Sequence, residues 1–419
     1  MDNPDFGKEE HTMTHACKTL NIAFSLAVLL ALPVFAQTSI DEQTVQTASK
    51  PVAYVYVGTA SGANLYYAAA DGALTLANGS PFSVAGTLWG SNGTHLITMD
   101  NVSSIYSYAV GKGGVIEEQT SEIDTQDYAG ANCGEEDQAT LDHTGQNVYV
   151  LLNIGGGNEC AAYQSYNIAK TTGKLTFNDV VTHSDGGPWH VMPVFTGKDK
   201  FAYSLEAWDY GLWSRLRGYV RKSNGALEKL SFHQSDPKPQ AGWQFWPSTI
   251  TEDPRDHLAV GVVPYDPASK TGEHIQLASY TIDSEGNLAS SNTWETMPTP
   301  DISPSSLVMS PSGKLLAVAG NQGYFPWGGS GPSPDGLEVF HFNGAEPITV
   351  YSGVLTPTEI DGIAWDNNDH LYAMSGRTNQ LFVYTVTPTS LTEAPGSPYA
   401  IASSGGLSSI LVVPVLPWM

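Results

Sequence analysis

The chain has 419 residues, 41% of them hydrophobic and only 14% charged, with 42 glycines, 26 prolines and 10% aromatics. So much glycine and so little charge argue against a helical protein and for many short strands joined by tight turns. A formal net charge of -24 repels nucleic acid and anionic membranes, so neither is expected as a partner.

Residues Leu20 to Ala36, LNIAFSLAVLLALPVFA, form an apolar run after Lys18 that ends in small residues suited to a signal peptidase. Residues 1–36 read as a secretory leader, which places the mature chain in the periplasm or the medium. An uncleaved span is the alternative, and no other stretch approaches the ~18 to 20 apolar residues of a membrane helix. The acidic segment 1–12 suits a signal n-region poorly, so translation is expected to start at Met13. A polar linker, 37–51, then leads into one domain, 52–417. After leader removal two cysteines remain, Cys133 and Cys160, in the loops GANCGEE and GGGNECA. In an oxidising compartment they are expected to pair; two buried free thiols are the alternative.

From Val84 onward one pattern recurs: a short apolar strand, a turn rich in Gly, Asp or Asn, a second apolar strand, a loop, a third strand with Tyr or Phe, and a G-x-L turn. Its copies are Val84 to Asn101, Asp137 to Asn153, Pro188 to Glu206, Pro247 to Pro264, Pro304 to Asn321 and Ile360 to Arg377. Their spacing of roughly 45 to 55 residues is that of four-stranded propeller blades. The ends hold complementary halves. VAYVYVGTASGANLYYAAADGALTL lacks a first strand, and GLSSILVVPVL, Gly406 to Leu416, is a first strand with nothing after it. Joined, they make a seventh blade. The expected fold is therefore all-β, a seven-bladed propeller closed by its two termini, which removes the free sheet edges. A β-sandwich with evenly spaced strands is the alternative, and it leaves the complementary halves unexplained.

First strands line the channel of a propeller, so their starts and the ends of the second strands share one face. The starts are Gly86, Gln138, His190, Thr249, Ser306, Gly362 and Ser409; the ends are Asn101, Asn153, Glu206, Pro264, Asn321, Arg377 and, approximately, Thr59. Among these positions only His190, Glu206 and Arg377 titrate. Across one hairpin the Cβ atoms of His190 and Glu206 would lie ~4.5 to 8 Å apart, close enough for a carboxylate to orient an imidazole. His190 could then deprotonate a water while Arg377 steadies an oxyanion, chemistry suited to opening a lactone. A satisfied histidine, a solvated glutamate and a loop arginine are the bland alternative. Gln138, Asn153, Trp189, Trp208, Trp246, Asn321 and Trp327 fall on the same face and are expected to contact substrate. The tryptophans suit a neutral sugar or another flat, partly apolar ligand, or else pack loop against loop.

The segments YVYVGTASGANLYYAAADGALTL, GPWHV with YSLE, and LVMSPSGKLLAVAGN resemble the seven-bladed lactonase-type propellers, the 6-phosphogluconolactonase and muconate-cycloisomerase family, over about residues 52 to 416. In that family a G-P-R-H motif supplies a histidine and a later strand a glutamate. The resemblance therefore implies catalytic roles for His190 and Glu206, but Trp189 stands where the family has arginine. The family's histidine-rich segment is GEEDQA here, Gly134 to Ala139. Only five arginines exist, and phosphate recognition wants clusters of Arg or Lys, so the expected lactone is unphosphorylated.

No G-x-S-x-G, H-E-x-x-H, C-x-x-C, phosphate loop or EF-hand run is present, and neither metal nor cofactor is expected. Two readings follow: an exported lactone hydrolase acting as a monomer, or a non-catalytic propeller that presents its aromatic mouth to a glycan or protein partner.

Overall fold

The computed structural model describes residues 50–100, 102–153, 160–183, 189–208, 213–320, 334–401 and 406–415. The leader, nearly all of the linker, Asn321 and Trp327 lie outside the described residues, as do the side chains of Trp189 and Trp208. Among the described residues no helix is long and apolar enough to cross a membrane.

Seven sheets make the seven blades. Blade 1 runs Thr87–Ser91, His95–Met99, Ser104–Val110 and Ile116–Asp124; blade 2 runs Glu135–Leu141, Asn147–Asn153, Ala161–Ile168 and Leu175–His183. In each, the first strand is innermost and the fourth outermost. Blades 3 to 6 repeat the order, with extra short strands in blades 3, 4 and 6. Blade 7 is composite. Its inner strand is Leu407–Pro414, followed outward by Ala53–Thr59, Gly62–Ala68 and Leu74–Leu76. The register runs antiparallel from Ala53↔Pro414 to Thr59↔Leu407, so the expected closure between the two ends of the chain is present.

Each blade presses both faces on its neighbours, and this dictates the sequence of the second strands. Ala53–Thr59 and His95–Met99 are buried at every position, which is why they read as largely apolar rather than as a strict alternation of apolar and polar residues. One cluster fills each seam, for example Ile97, Met99, Val148, Val150 and Leu152 between blades 1 and 2, or Tyr149, Leu151, Tyr163, Phe195 and Tyr219 between blades 2 and 3.

The glycine turns between third and fourth strands have a seam function as well. Tyr56, Tyr149 and Tyr203, buried in second strands, donate their hydroxyls to the carbonyls of Gly114, Gly225 and Gly286 in the third-to-fourth strand turn of the following blade, at 2.6, 2.8 and 2.8 Å. Gly225 has φ +87°, and a Cβ there would fall 2.3 Å from the Asn147 amide. Only glycine meets both demands.

Blade 3 departs from the pattern. Its inner strand is split into Trp189–His190 and Val194–Phe195, with Pro193 in the gap, where the missing N–H removes a ladder bond. The pairing passes from His190↔Glu206 to Val194↔Tyr203, so the inner strand carries one extra residue, as in a bulge.

Cys133 and Cys160 form a disulfide within blade 2, with Cα atoms 5.0 Å apart. It clamps the approach to the inner strand onto the start of the third. Closing a loop of this length is worth about 3 to 4 kcal/mol on the chain-entropy model.

Removal of residues 406–419 would strip the inner strand from blade 7 and open both an edge and two seams. We expect the truncated chain to lose cooperative melting and accumulate as insoluble protein. A normal calorimetric transition for that variant would show that ring closure is dispensable.

Candidate functional site

Between blades 2 and 3 the upper end of the seam turns from apolar to polar, upper meaning the face where inner strands start. His190 and Glu206 are register partners, and both are buried, their side chains 1% and 0% exposed. His190 Nε2 lies 3.8 Å from Glu206 Oε1, too far for a direct hydrogen bond and a fitting span for one bridging water.

Two arginines complete the carboxylate's surroundings. In the third strand, Trp213–Arg221, Arg215 lies opposite Glu206 and Arg217 opposite Ser204. The Nε of Arg215 donates to Glu206 Oε2 at 2.8 Å, and the Nε of Arg217 donates to the same oxygen. Arg215 is 45% and Arg217 23% exposed, so both guanidinium groups connect the buried carboxylate with solvent.

Aromatic and polar groups from both blades pack around His190. The rings of Tyr163 and His183 lie 6.2 and 5.2 Å from it, centre to centre. Tyr163 donates its hydroxyl to the Val191 carbonyl at 2.8 Å, and the Tyr219 hydroxyl and His183 Nε2 are 2.8 Å apart. Burial pushes both phenols up, with Tyr163 and Tyr219 reinforcing each other in the case of Tyr163, so they stay protonated. Gln138 accepts the Met192 N–H at 3.1 Å, which ties blade 2 to the split strand of blade 3.

Two buried acceptors in this seam stand out: Glu206 Oε1 and Asn153 Oδ1 accept no hydrogen bond among the described residues. Native interiors leave few such atoms without a donor. An incoming hydroxyl or water would supply one.

Arg377 goes elsewhere. It follows the second strand of blade 6, is 58% exposed, and donates from Nη1 to Asp335 Oδ2 of blade 5 at 3.1 Å. The guanidinium groups on Glu206 are thus Arg215 and Arg217, which lie outside the strand starts and ends that the repeat marks. The alternation in SRLRGYVR, counted against YSLE, is the signal that points to them.

Trp246 differs from its expected loop position too. It sits in the inner strand of blade 4, Gln244–Glu252, is 5% exposed, and stacks on Tyr265 with ring centres 3.7 Å apart. Its face is already covered. Trp243 and Trp294 instead meet edge to face at 5.3 Å, giving blade 4 a partly exposed aromatic corner.

A separate acid lies at the upper end of the seam between blades 4 and 5. Glu338, 2% exposed, takes the Asp301 N–H on both oxygens, at 3.2 and 3.1 Å. Burial pushes its carboxyl up to about 7, opposed by that N–H and aided by the Asp301 charge. Nothing in the repeat pattern marks it.

No protein-family model matches the chain, and no curated protein does. Solved structures do match. A protein from Lactobacillus plantarum is 16% identical, with 86% of this chain and 99% of that one covered and a TM-score of 0.56. A Bacteroides uniformis protein provisionally assigned as a 6-phosphogluconolactonase is 14% identical, with 86% and 99% covered and a TM-score of 0.52. At these identities the likeness shows the fold.

Glu338 sets a pH dependence whose sign follows from linkage. The folded state binds its proton more tightly than the unfolded chain, so stability falls as pH rises from about 4.5 through about 7. Glu338→Gln should therefore melt higher than the parent at pH 8, by up to about 3 kcal/mol, and match it near pH 4. An equal gap at both values would assign the effect to packing instead.

Proposed function

We propose that the protein is an exported lactonase-like propeller that opens an unphosphorylated sugar or other lactone at the seam of blades 2 and 3. The observation that carries this reading is the His190 to Glu206 separation of 3.8 Å, with Glu206 Oε1 lacking a donor among the described residues. A water bridging the two would be held by the carboxylate and would give its proton to the imidazole as its oxygen attacks the lactone carbonyl carbon. The developing oxyanion would be met by a guanidinium, the role first expected of Arg377 and better served by Arg217 or Arg215. Collapse breaks the bond from the carbonyl carbon to the ring oxygen. The proton on His190 passes to that oxygen, leaving a hydroxy acid.

The resemblance to lactonase-type propellers supports the roles of His190 and Glu206. The two arginines supply from the third strand the kind of charge that Trp189 lacks. A small molecule is the fitting substrate, since a site this covered admits only a compact group.

A second reading, a non-catalytic propeller binding a glycan or protein partner, is favoured by the near-complete cover of His190 and Glu206. The aromatic corner of Trp243 and Trp294 would then be its contact.

A panel of unphosphorylated sugar and aliphatic lactones, followed by acid release on a pH indicator, separates the two. Turnover is expected, reduced about 10²- to 10⁴-fold by His190→Gln and about 10²- to 10³-fold by Arg217→Gln, with melting monitored to confirm folding. No acid release from any lactone would eliminate the hydrolase reading and leave the binding one.

Export rests on the leader and agrees with the disulfide. The protein recovered outside the cytoplasm should begin at Gln37 by intact mass. Recovery with Leu20 to Ala36 still attached would refute cleavage.

A further inference from the structure

At the opposite, lower end of the channel a cavity of about 510 Å³ opens among the inner strands of blades 4 to 7 and the turns of blades 2 and 3. Its chemistry is divided. Blades 5 to 7 contribute an apolar wall from Val308, Ile363, Ala364, Ile410 and Val412. Facing it are His143, from the turn after the inner strand of blade 2, and Glu252, at the end of the inner strand of blade 4.

Several of the other polar groups at this end are already engaged. Asp253 accepts the backbone N–H groups of Arg255 and His257 and lies 3.0 Å from His257 Nδ1. The Trp365 indole donates to the Val308 carbonyl. Asp199 accepts both the backbone N–H and the Nδ1 of His143, at 3.2 and 2.9 Å, which fixes the imidazole plane. These bonds hold His143 charged across the neutral range, its pKa raised to about 10 by Asp199 first and Glu252 second.

Between His143 and Glu252 there is a gap. His143 Nε2 and Glu252 Oε1 are 3.6 Å apart, longer than a hydrogen bond, and the two side chains are 46% and 24% exposed. An oxygen placed beside both could accept from the imidazolium and donate to the carboxylate. Only a group that is donor and acceptor at once satisfies both. An ammonium would face the imidazolium, and a carboxylate would face Glu252.

We propose that the lower channel is a binding site for an uncharged, largely apolar small molecule with one hydroxyl, seated between His143 and Glu252 with its body on the wall of blades 5 to 7. A cavity of this size with an apolar lining and few convergent polar groups is the usual form of such a site. The site is independent of the seam between blades 2 and 3 and of any reaction there.

Cyclohexylmethanol is a suitable probe, titrated against the full chain by saturation-transfer NMR. Cyclohexylmethylamine and cyclohexanecarboxylate are its near-isosteric charged controls. The alcohol should saturate and bind about fivefold tighter than either control. Glu252→Met, which removes the acceptor, should weaken it by about tenfold or more, the worth of one hydrogen bond to a charged group. Ala364→Leu should abolish binding by filling the cavity, and if that variant fails to fold, Glu252→Met alone decides. The assignment is overturned if the alcohol does not bind, if a charged control binds as tightly, or if Glu252→Met leaves the alcohol's affinity unchanged.

Discussion

The pairing of Leu407–Pro414 with Ala53–Thr59 is the contact on which the other blades depend. A ring of sheets has no stable open form, because the last blade would expose one apolar face and one unpaired edge. Here the closing blade borrows its inner strand from the far end of the chain. The two halves must meet before either can bury Val55, Val57, Ile410 and Val412. Once they do, every seam has a partner on both sides, and second strands such as Ala53–Thr59 can be buried at every position.

Closure also explains how a polar group can sit deep in a seam. Elsewhere the seams are filled mainly by aliphatic and aromatic side chains, with Glu338 at the upper end of the seam between blades 4 and 5, and the ring presses them together. Between blades 2 and 3 the same geometry squeezes Glu206, His190 and His183 into an interior where lone charges are costly. The seam compensates by alternation. Arg215 and Arg217 lie on the face of the third strand that Glu206 occupies on the second, so a single strand delivers two guanidinium groups to one oxygen. This concentration of charge is tolerable because both arginines reach water, and it leaves Oε1, the oxygen nearest His190, turned away from them.

The architecture was legible because a propeller repeats. Turn chemistry, apolar runs and the complementary halves at the termini all point to the same ring, and each is local in sequence. His190 and Glu206 were legible for the same reason, as one hairpin fixes their register. Arg215 and Arg217 needed a second register, across a turn whose length carries no pattern. Arg377 shows the limit more sharply. Its place in the repeat gives the correct edge of blade 6, but the ion pair with Asp335 is a contact between loops of two blades, which no periodicity encodes. Trp246 was hidden by Pro247, which reads as a break. The inner strand faces the channel on one side, so it tolerates a proline, and the register shifts there between Pro247 and Thr249 instead of ending.

The two ends of the molecule divide their chemistry according to what the blades can supply. At the upper end side chains such as Glu206 and Arg215 converge from different strands of one sheet. At the lower end the inner and second strands are joined by short turns, and groups converge from different blades, as His143, Asp199 and Glu252 do. A site of the first kind is rigid, because one sheet holds its parts in register. A site of the second kind depends on the relative seating of three blades and therefore on the closure of the whole ring.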